Sequence, residues 1–230
     1  MRIDELTEVD STNLYLKRLR EAGVREDVVA IAKRQTGGMG TKGRSFLSTE
    51  GGVYLSMLRF YRLFPAAEAF RIMMNSSVAV CKTVEEFGAK AEIKWPNDVF
   101  VTGRKICGIL IENEVQAGNI RSSIVGIGVN VNNDVSPLRD IAVNLKEVVG
   151  EVSTEAVRDR LLRALQTDWA FADYKGYIAF LGREIFVTEG GREYFAVAKD
   201  VLPDGRLVLE EGGKTRSLTS GEIRIQLGDR

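Results

Sequence analysis

Five short stretches of this chain carry residues able to do chemistry, and none contains a histidine, because the chain has none. That removes Ser-His-Asp and Cys-His nucleophile pairs, H-E-x-x-H zinc sites and any histidine general base. Catalysis here has to run on lysine, arginine, carboxylates, amides and backbone groups.

The stretch GMGTKGRS (38–45) satisfies two phosphate-binding patterns at once: G-x-G-x-x-G, and G-x-x-x-x-G-[K]-[ST] with Arg44 in the lysine position. Both patterns need a strand before the glycines and a helix directly after, whose N–H groups receive the phosphates. VVAIA (28–32) reads as the strand, but SFLSTEGGVYLSM carries two glycines and then alternates like another strand. A dinucleotide fold also wants an acidic residue about 20 positions on, and residues 58–61 hold none. Both fingerprints fail on context. What survives is a loop with four glycines in residues 37–43, carrying Lys42 and Arg44. It is either an anion-binding loop or a solvated connection between strands.

KWPND (94–98) sets Lys94 at a strand end, then a bend rigidified by Pro96, then Asn97 beside Asp98. The lysine can meet a phosphate while the amide and carboxylate hold a ligand or Mg²⁺; as structure alone, the pair is a hairpin bend. In RKICGILIE (104–112), Lys105 stands at the mouth of a strand. Period-two alternation puts it in phase with Cys107, Ile109 and Ile111, so its ammonium can reach over an apolar pocket to a carboxylate, or simply snorkel to solvent. Gly108 on the other face leaves room for close approach. GIGVNVN (126–132) turns Ile127, Val129 and Val131 to a core and leaves Gly126, Gly128, Asn130 and Asn132 on the opposite face. That stripped face suits either a flat ligand or another tightly packed element. DSTN (10–13) is a helix cap or a cluster of donors and acceptors able to read a small polar ring.

The elements that position these motifs follow from periodicity. Ser11 caps a short helix ending at Gly23, VYLSML (53–58) is a strand, and a helix with Pro65 near its first turn runs to Gly88. From AEIKW (91–95) a run of strands turns at Asn97-Asp98, Thr102-Gly103 and Gly118-Asn119; a helix is predicted over 154–174. Beyond Gly182 short strands alternate with Gly190-Gly191, Asp204-Gly205 and Gly212-Gly213, the pattern of a small β-barrel of about fifty residues. The 32 basic residues balance the 32 acidic ones, so no overall field favours nucleic acid or an anionic membrane. Cys81 and Cys107 form no metal or disulfide motif, and no segment reads as a signal peptide or a bilayer span. A cytoplasmic location is expected.

Together DSTN, RQTGGMGTKGRSFLS, KWPND, RKICGILIE, GIGVNVN and the closing SGEIRI make the chain resemble the biotin protein ligases over nearly its whole length. KWPND followed by K-x-x-G-I-L is the specific part. With only ten residues before Ser11, it is similar to the monofunctional type that lacks a DNA-binding domain. The resemblance implies an α+β fold: a class II synthetase-like catalytic domain (1–181), with a mixed or antiparallel sheet and helices, then an SH3-like barrel (182–230). It implies that biotin's carboxylate attacks the α-phosphorus of ATP. Biotinyl-5′-AMP forms, pyrophosphate leaves, and the biotinyl group passes to a lysine of a biotin carboxyl carrier protein. Ser11, Thr12, Asn13 and Gln35 are implied as readers of the ureido ring, with Gly38, Met39, Gly40 and Thr41 folding over it. Lys105 is implied to hold biotin's carboxylate and the bridging phosphate. Arg44, Lys94, Asn97 and Asp98 serve the phosphates and Mg²⁺, with Asn130 near the adenylate. Phe46 stands where the family usually has a tryptophan against adenine, and a phenyl ring stacks over less area.

Two further expectations follow. Met39 and Thr41 replace residues that are commonly arginine in the family's loop, so this enzyme would hold biotinyl-AMP less tightly and label nearby lysines non-specifically. The acceptor amine, with a pKa of about 10.4 in water, must lose a proton, and Asp98 is the nearest group to accept or orient it. The alternatives are a lipoate-type ligase, whose pocket takes a longer apolar tail without a ureido ring, and a non-catalytic biotin-sensing module. Intact Lys94, Asp98 and Lys105 speak against the module. IRSSIVGIG (120–128) is expected as an edge strand, able to pair with a second copy in a homodimer or with the acceptor.

Overall fold

A computed structural model describes residues 1–219 and 222–224; nothing is described for the side chains of Lys42, Glu222 and Arg224. Ser220, Gly221 and Ile225 of the SGEIRI motif therefore lie outside the described residues, as does the Lys42 side chain. Seven strands form the larger sheet: β1 (Arg2–Val9), β2 (Val28–Gln35), β3 (Val53–Phe60), β4 (Ala91–Lys94), β5 (Asp98–Val101), β6 (Arg104–Gln116) and β7 (Asn119–Val129). Their order is β1-β2-β3-β7-β6-β5-β4. β1 pairs with β2 in parallel and every other pair is antiparallel, so the expected mixed α+β architecture is present.

Helix α1 (Thr12–Glu21) packs on one face, where Leu16 meets Val28, Ala30, Leu58 and Ile124. Helices α2 (Phe70–Glu86), α3 (Leu145–Val149), α4 (Thr154–Ala164) and α5 (Phe171–Gly176) belong to the larger core on the other side, with Leu55, Met57, Val125, Ile127 and Val129. Period-two alternation in β3 and β7 thus feeds two different cores. α1 is short and covers only part of its face. Asn13 of α1 reaches over Gly126, and the uncovered remainder beyond it is where Gly128 and Gly108 lie.

The C-terminal strands β8 (Glu184–Glu189), β9 (Arg192–Val201), β10 (Leu207–Glu211), β11 (Lys214–Leu218) and β12 (Glu222–Arg224) make a five-stranded antiparallel sheet of the expected SH3-like kind. It is not an independent bead: Ile185, Val187 and Leu207 share the larger core with Tyr174 and Phe180. The Trp95 indole N–H donates to the Gly205 carbonyl at 2.7 Å. That bond explains the tryptophan in KWPND, which is buried rather than displayed.

Four expectations need correction. IRSSIVGIG is no edge: β7 lies between β3 and β6 and pairs with both. The helix predicted over 154–174 is two helices. Gln166 and Thr167 N–H groups close on Arg163 and Ala164 carbonyls, and the Trp169 N–H leaves the helix for the Asn75 side chain. Helix α2 starts at Phe70, after a separate 3₁₀ turn at Ala66–Glu68 that follows Pro65. The turn read at Gly118-Asn119 falls one residue earlier, on Ala117 and Gly118, both at positive φ as a tight hairpin requires. β1 went unread; it is an acidic and largely exposed edge strand with no clean alternation.

Candidate active site

The register places the key residues in rows. Tyr54 pairs with Gly128, Gly128 with Gly108, Gly108 with Asp98 and Asp98 with Lys94, so all five share the α1 face of the sheet. Ser56 and Gly126 make the next row. The two glycines of β7 and Gly108 of β6 leave a flat trough between Tyr54 and Asp98. A shallow cleft open to solvent lies over it, with about 470 Å³ of empty space when the open mouth is counted. Ser11, Thr12, Asn13, Gln35, Met39, Gly40, Thr41, Phe46, Asn97, Asp98 and Lys105 all line that cleft, so most of the expected site converges.

Lys105 gets there by a departure from alternation. Strict period two would send its side chain to the core with Cys107 and Ile109. A register shift between Val99 and Phe100 marks a β-bulge opposite Ile106, which inverts the phase. Ile106 and Cys107 are both buried, and Lys105 emerges beside Gly108, its Nζ 2.8 Å from Asp98 Oδ1. Asn97 is fixed by donating Nδ2 to the Ile109 carbonyl at 2.9 Å, which leaves its Oδ1 for other partners.

The glycine loop is a small folded hairpin. Phe46 N–H donates to the Gly38 carbonyl at 2.8 Å, Gly40 N–H donates to the Arg44 carbonyl at 2.7 Å, and a 3₁₀ turn over Thr41–Gly43 forms the tip. Gly38 itself does not line the cleft. A Cβ there would lie 2.5 Å from Ser48 Oγ and collide with the Phe46 carbonyl, so its role is to let the hairpin close. Phe46 descends into the trough. A Cβ at Gly128 would stand 2.5 Å from its ring, and one at Gly108 3.2 Å.

At the α1 end the polar residues form one continuous chain. Ser48 Oγ donates to the Phe46 carbonyl at 3.0 Å and accepts from Gln35 Nε2 at 2.9 Å. Gln35 Oε1 accepts from the Thr12 backbone N–H at 2.8 Å. Ser56 Oγ lies 2.6 Å from both Thr12 Oγ1 and Asn13 Oδ1, and Asn13 Nδ2 donates to Glu112 at 2.8 Å. Thr12, Asn13, Ser48 and Ser56 are buried. Ser48, Ser56 and Glu112 were given no role from sequence. The available signal was a lone serine inside the apolar run VYLSML and a carboxylate ending RKICGILIE.

Besides Gly38, three expected residues stand apart from the cleft lining. Lys94 shares the face by register, but its Nζ lies over the Phe100 ring at 5.3 Å. Arg44 is exposed, with Nε 3.4 Å from the Thr41 carbonyl. Asn130 is buried and accepts from Asn133 Nδ2 at 3.1 Å, holding the turn after β7. Its motif neighbour Asn132 donates to the Val152 carbonyl at 2.7 Å. Among the described residues no group of three or more His, Cys, Asp or Glu side chains is placed to hold a metal.

Comparison with known proteins decides the family. Residues 5–131 match the model of the biotin/lipoate A/B protein ligase family, and residues 180–225 match the biotin protein ligase C-terminal domain. The chain belongs to the biotin/lipoate A/B protein ligase family. Within it, the chain is 34% identical to the bifunctional ligase/repressor BirA of Bacillus spizizenii, over 94% of this chain and 72% of that one. It is 27% identical to the biotin–[acetyl-CoA-carboxylase] ligase of Paracoccus denitrificans, over 95% and 98% of the two chains. The biotin protein ligase of Aquifex aeolicus, solved with biotin and ATP, superposes with a TM-score of 0.76 at 27% identity, covering 97% of both chains. Every motif that defines the cleft, from DSTN to GIGVNV, falls inside the span matched to the ligase family.

Proposed function

We propose that this chain activates biotin with ATP to biotinyl-5′-AMP, releasing pyrophosphate, and passes the biotinyl group to a lysine of a biotin carboxyl carrier domain. One observation carries the choice of substrate: the polar chain from Ser48 to Glu112 leaves unused hydrogen-bonding capacity on residues that line the cleft. Asn13 Oδ1 and Thr12 Oγ1 keep acceptor lone pairs, and Gln35 Nε2 keeps a second hydrogen. A ureido ring offers two N–H donors and one carbonyl to match. A dithiolane ring offers none of these, and each buried group left unpaired costs about 1–3 kcal/mol. Gly126 and Gly128 lie two residues apart on one strand, about 7 Å, the reach of a five-carbon acid tail. At the end of that reach stands Lys105.

The division of labour follows. Lys105 draws biotin's carboxylate and the bridging phosphate together, exchanging its bond to Asp98 for them. Alignment of nucleophile and α-phosphorus, and a cation at the developing charge, supply most of what the step needs. Asp98, once released from Lys105, is placed to orient the incoming amine. Phe46 lies against the adenylate, and Arg44 and Lys94 meet the phosphates from the rim of the cleft. Asn130 supports the turn beside them. Asn97 Oδ1 and Asp98 would hold a Mg²⁺ ion together with the ATP phosphates, and the ion would supply charge neutralisation there. Among the described residues, β6 has no strand partner on β5's side beyond Gly108. That open edge, beginning at the cleft with Leu110, suits pairing with the carrier domain. We place the boundary between catalytic and C-terminal domains at 181/182. We also place the protein in the cytoplasm: Cys81 and Cys107 are free and buried, their thiols pushed up by burial, and among the described residues no helix can cross a membrane.

Purified protein with ATP, Mg²⁺ and either biotin or lipoate tests this, reading pyrophosphate release and then transfer to a carrier domain. Biotin-dependent release followed by transfer is the expected result. Release with lipoate alone overturns the assignment.

A further inference from the structure

Hydroxyls and carboxamides can each face two ways, so a chain of them has no fixed polarity unless something at one end sets it. In this site the end is Glu112. Its carboxylate only accepts, so the Asn13 group 2.8 Å away must be the NH₂. Asn13 Oδ1 then faces Ser56 and has no hydrogen, so the Ser56 hydroxyl donates to it. Ser56 has one hydrogen, now spent, so at its 2.6 Å contact with Thr12 Oγ1 it accepts. The Thr12 hydroxyl therefore gives its one hydrogen to Ser56, its longer 3.1 Å contact with Gln35 Oε1 carries none, and Thr12 is left presenting lone pairs. From the other end, the Thr12 backbone N–H can only donate, which makes the facing Gln35 atom the carbonyl oxygen and turns Gln35 Nε2 toward Ser48. Every hydrogen in the chain is assigned, and the first assignment comes from one charged residue. Gly126 completes the arrangement: any Cβ there would collide with Asn13 Oδ1.

We propose that Glu112, which does not line the cleft, is the positioning residue that makes Asn13 and Thr12 hydrogen-bond acceptors, so that the site selects a ligand ring carrying N–H donors. The inference rests on the biotin-activating reading and adds the source of its ring specificity. Without Glu112 the Asn13 carboxamide is free to rotate its NH₂ toward Ser56 and the cleft, where it opposes a ring N–H.

Exchanging the pair's chemistry tests the idea. Asn13→Asp alone sets two carboxylates against each other. Asn13→Asp with Glu112→Gln restores one donor facing one acceptor and still presents an oxygen to the cleft. Biotin binding and biotin-dependent ATP–pyrophosphate exchange are measured on the full chain for both, and for Glu112→Leu. Expected is a weakening of biotin binding by about 100-fold for Asn13→Asp and about 10- to 100-fold for Glu112→Leu. The double variant should recover to within about 10-fold of the unaltered chain. In Glu112→Leu the rise falls on KM for biotin, while KM for ATP and kcat at saturating biotin hold, a split that general destabilisation does not produce. A double variant as weak as Asn13→Asp, or Glu112→Leu binding biotin like the unaltered chain, overturns the proposal. If the unaltered chain itself exchanges without biotin dependence, the underlying reading fails instead and takes this one with it.

Discussion

Replacing Lys105 by methionine keeps the length and apolar body of the side chain and removes its charge. The effect on folding and the effect on chemistry should then separate widely. The Lys105–Asp98 pair is partly exposed, 33% and 26% for the two side chains. Such a pair contributes about 0–1 kcal/mol, which lowers the melting temperature of a chain this size by about 4 °C at most. A positioned donor aimed at charge that develops in the transition state contributes about 2.7–4 kcal/mol, or about 10²- to 10³-fold in rate. Lys105→Met also leaves Asp98 facing the ATP phosphates, and two like charges about 4 Å apart near a protein surface repel by about 4 kcal/mol before screening. Adding Asp98→Asn should therefore recover about 10-fold of the lost exchange rate. Asp98→Asn alone should form adenylate normally and transfer it slowly. The assays are biotin-dependent ATP–pyrophosphate exchange, single-turnover transfer to a carrier domain, and thermal melting. Exchange in Lys105→Met within about 3-fold of the unaltered chain refutes the reasoning, since that is under 1 kcal/mol. So does a fall in melting temperature beyond about 10 °C, which makes the loss a folding effect. Transfer by Asp98→Asn at the unaltered rate removes Asp98 from the second step.

Thr41→Arg returns a cation to the hairpin tip that lines the cleft, and should slow biotinyl-AMP dissociation by about 10-fold; equal off-rates end the idea that this loop releases adenylate readily. Gly128→Ala puts a methyl 2.5 Å from the Phe46 ring. The ring has to leave the trough, so the adenylate binds about 10-fold or more weakly; unchanged adenylate affinity contradicts the placement of Phe46. At the start of α1, the Arg18 guanidinium holds Asp10 at a pKa of about 2, against an ordinary value of 3.8. A depressed carboxyl stabilises the fold above its unfolded pKa and loses that contribution as pH falls through the folded one. The stability difference between the unaltered chain and Arg18→Ala should therefore be present at pH 5, fall as pH drops through about 2 and be gone by about pH 1 in acid-unfolding curves. A difference that persists below about pH 1 points to packing instead.

What was legible in the sequence was local. KWPND, RKICGILIE and GIGVNVN each carry their meaning within a few residues, and the failure of the phosphate fingerprints could be read from the missing helix after Ser45. What was not legible depended on partners far along the chain. Trp95 looked misplaced because its acceptor, the Gly205 carbonyl, is 110 residues away. Glu112 meets Asn13 across 99 residues and Ser56 meets it across 43, so a lone serine and a strand-ending carboxylate give no sign that they belong to one ring-reading chain. The phase of Lys105 was misread because alternation assumes an unbroken ladder. A bulge is a property of two paired strands, and only the β5–β6 register reveals it. β1 was missed because an exposed edge strand has no core face to impose a pattern.

The same contrast divides the site. Its ring-reading half sits on α1, β2, β3, β6 and β7, elements locked by ladder bonds and two cores. Its covering half is the 38–46 hairpin, closed on itself by the Gly38–Phe46 and Gly40–Arg44 backbone bonds and set against the sheet by the Gln35–Ser48 bonds at its flank and the Phe46 ring beside Tyr54. Rigid elements hold geometry within the narrow tolerance that hydrogen-bond specificity needs, while a loop exchanges order for access. The two halves should therefore fail independently. Changes at Asn13, Ser56 or Glu112 alter which acid is chosen, whereas changes at Thr41, Arg44 or Phe46 alter how long its adenylate is kept. The departures at Met39 and Thr41 fall entirely in the second half, so a chain that releases its intermediate readily can still be strict about which acid it activates.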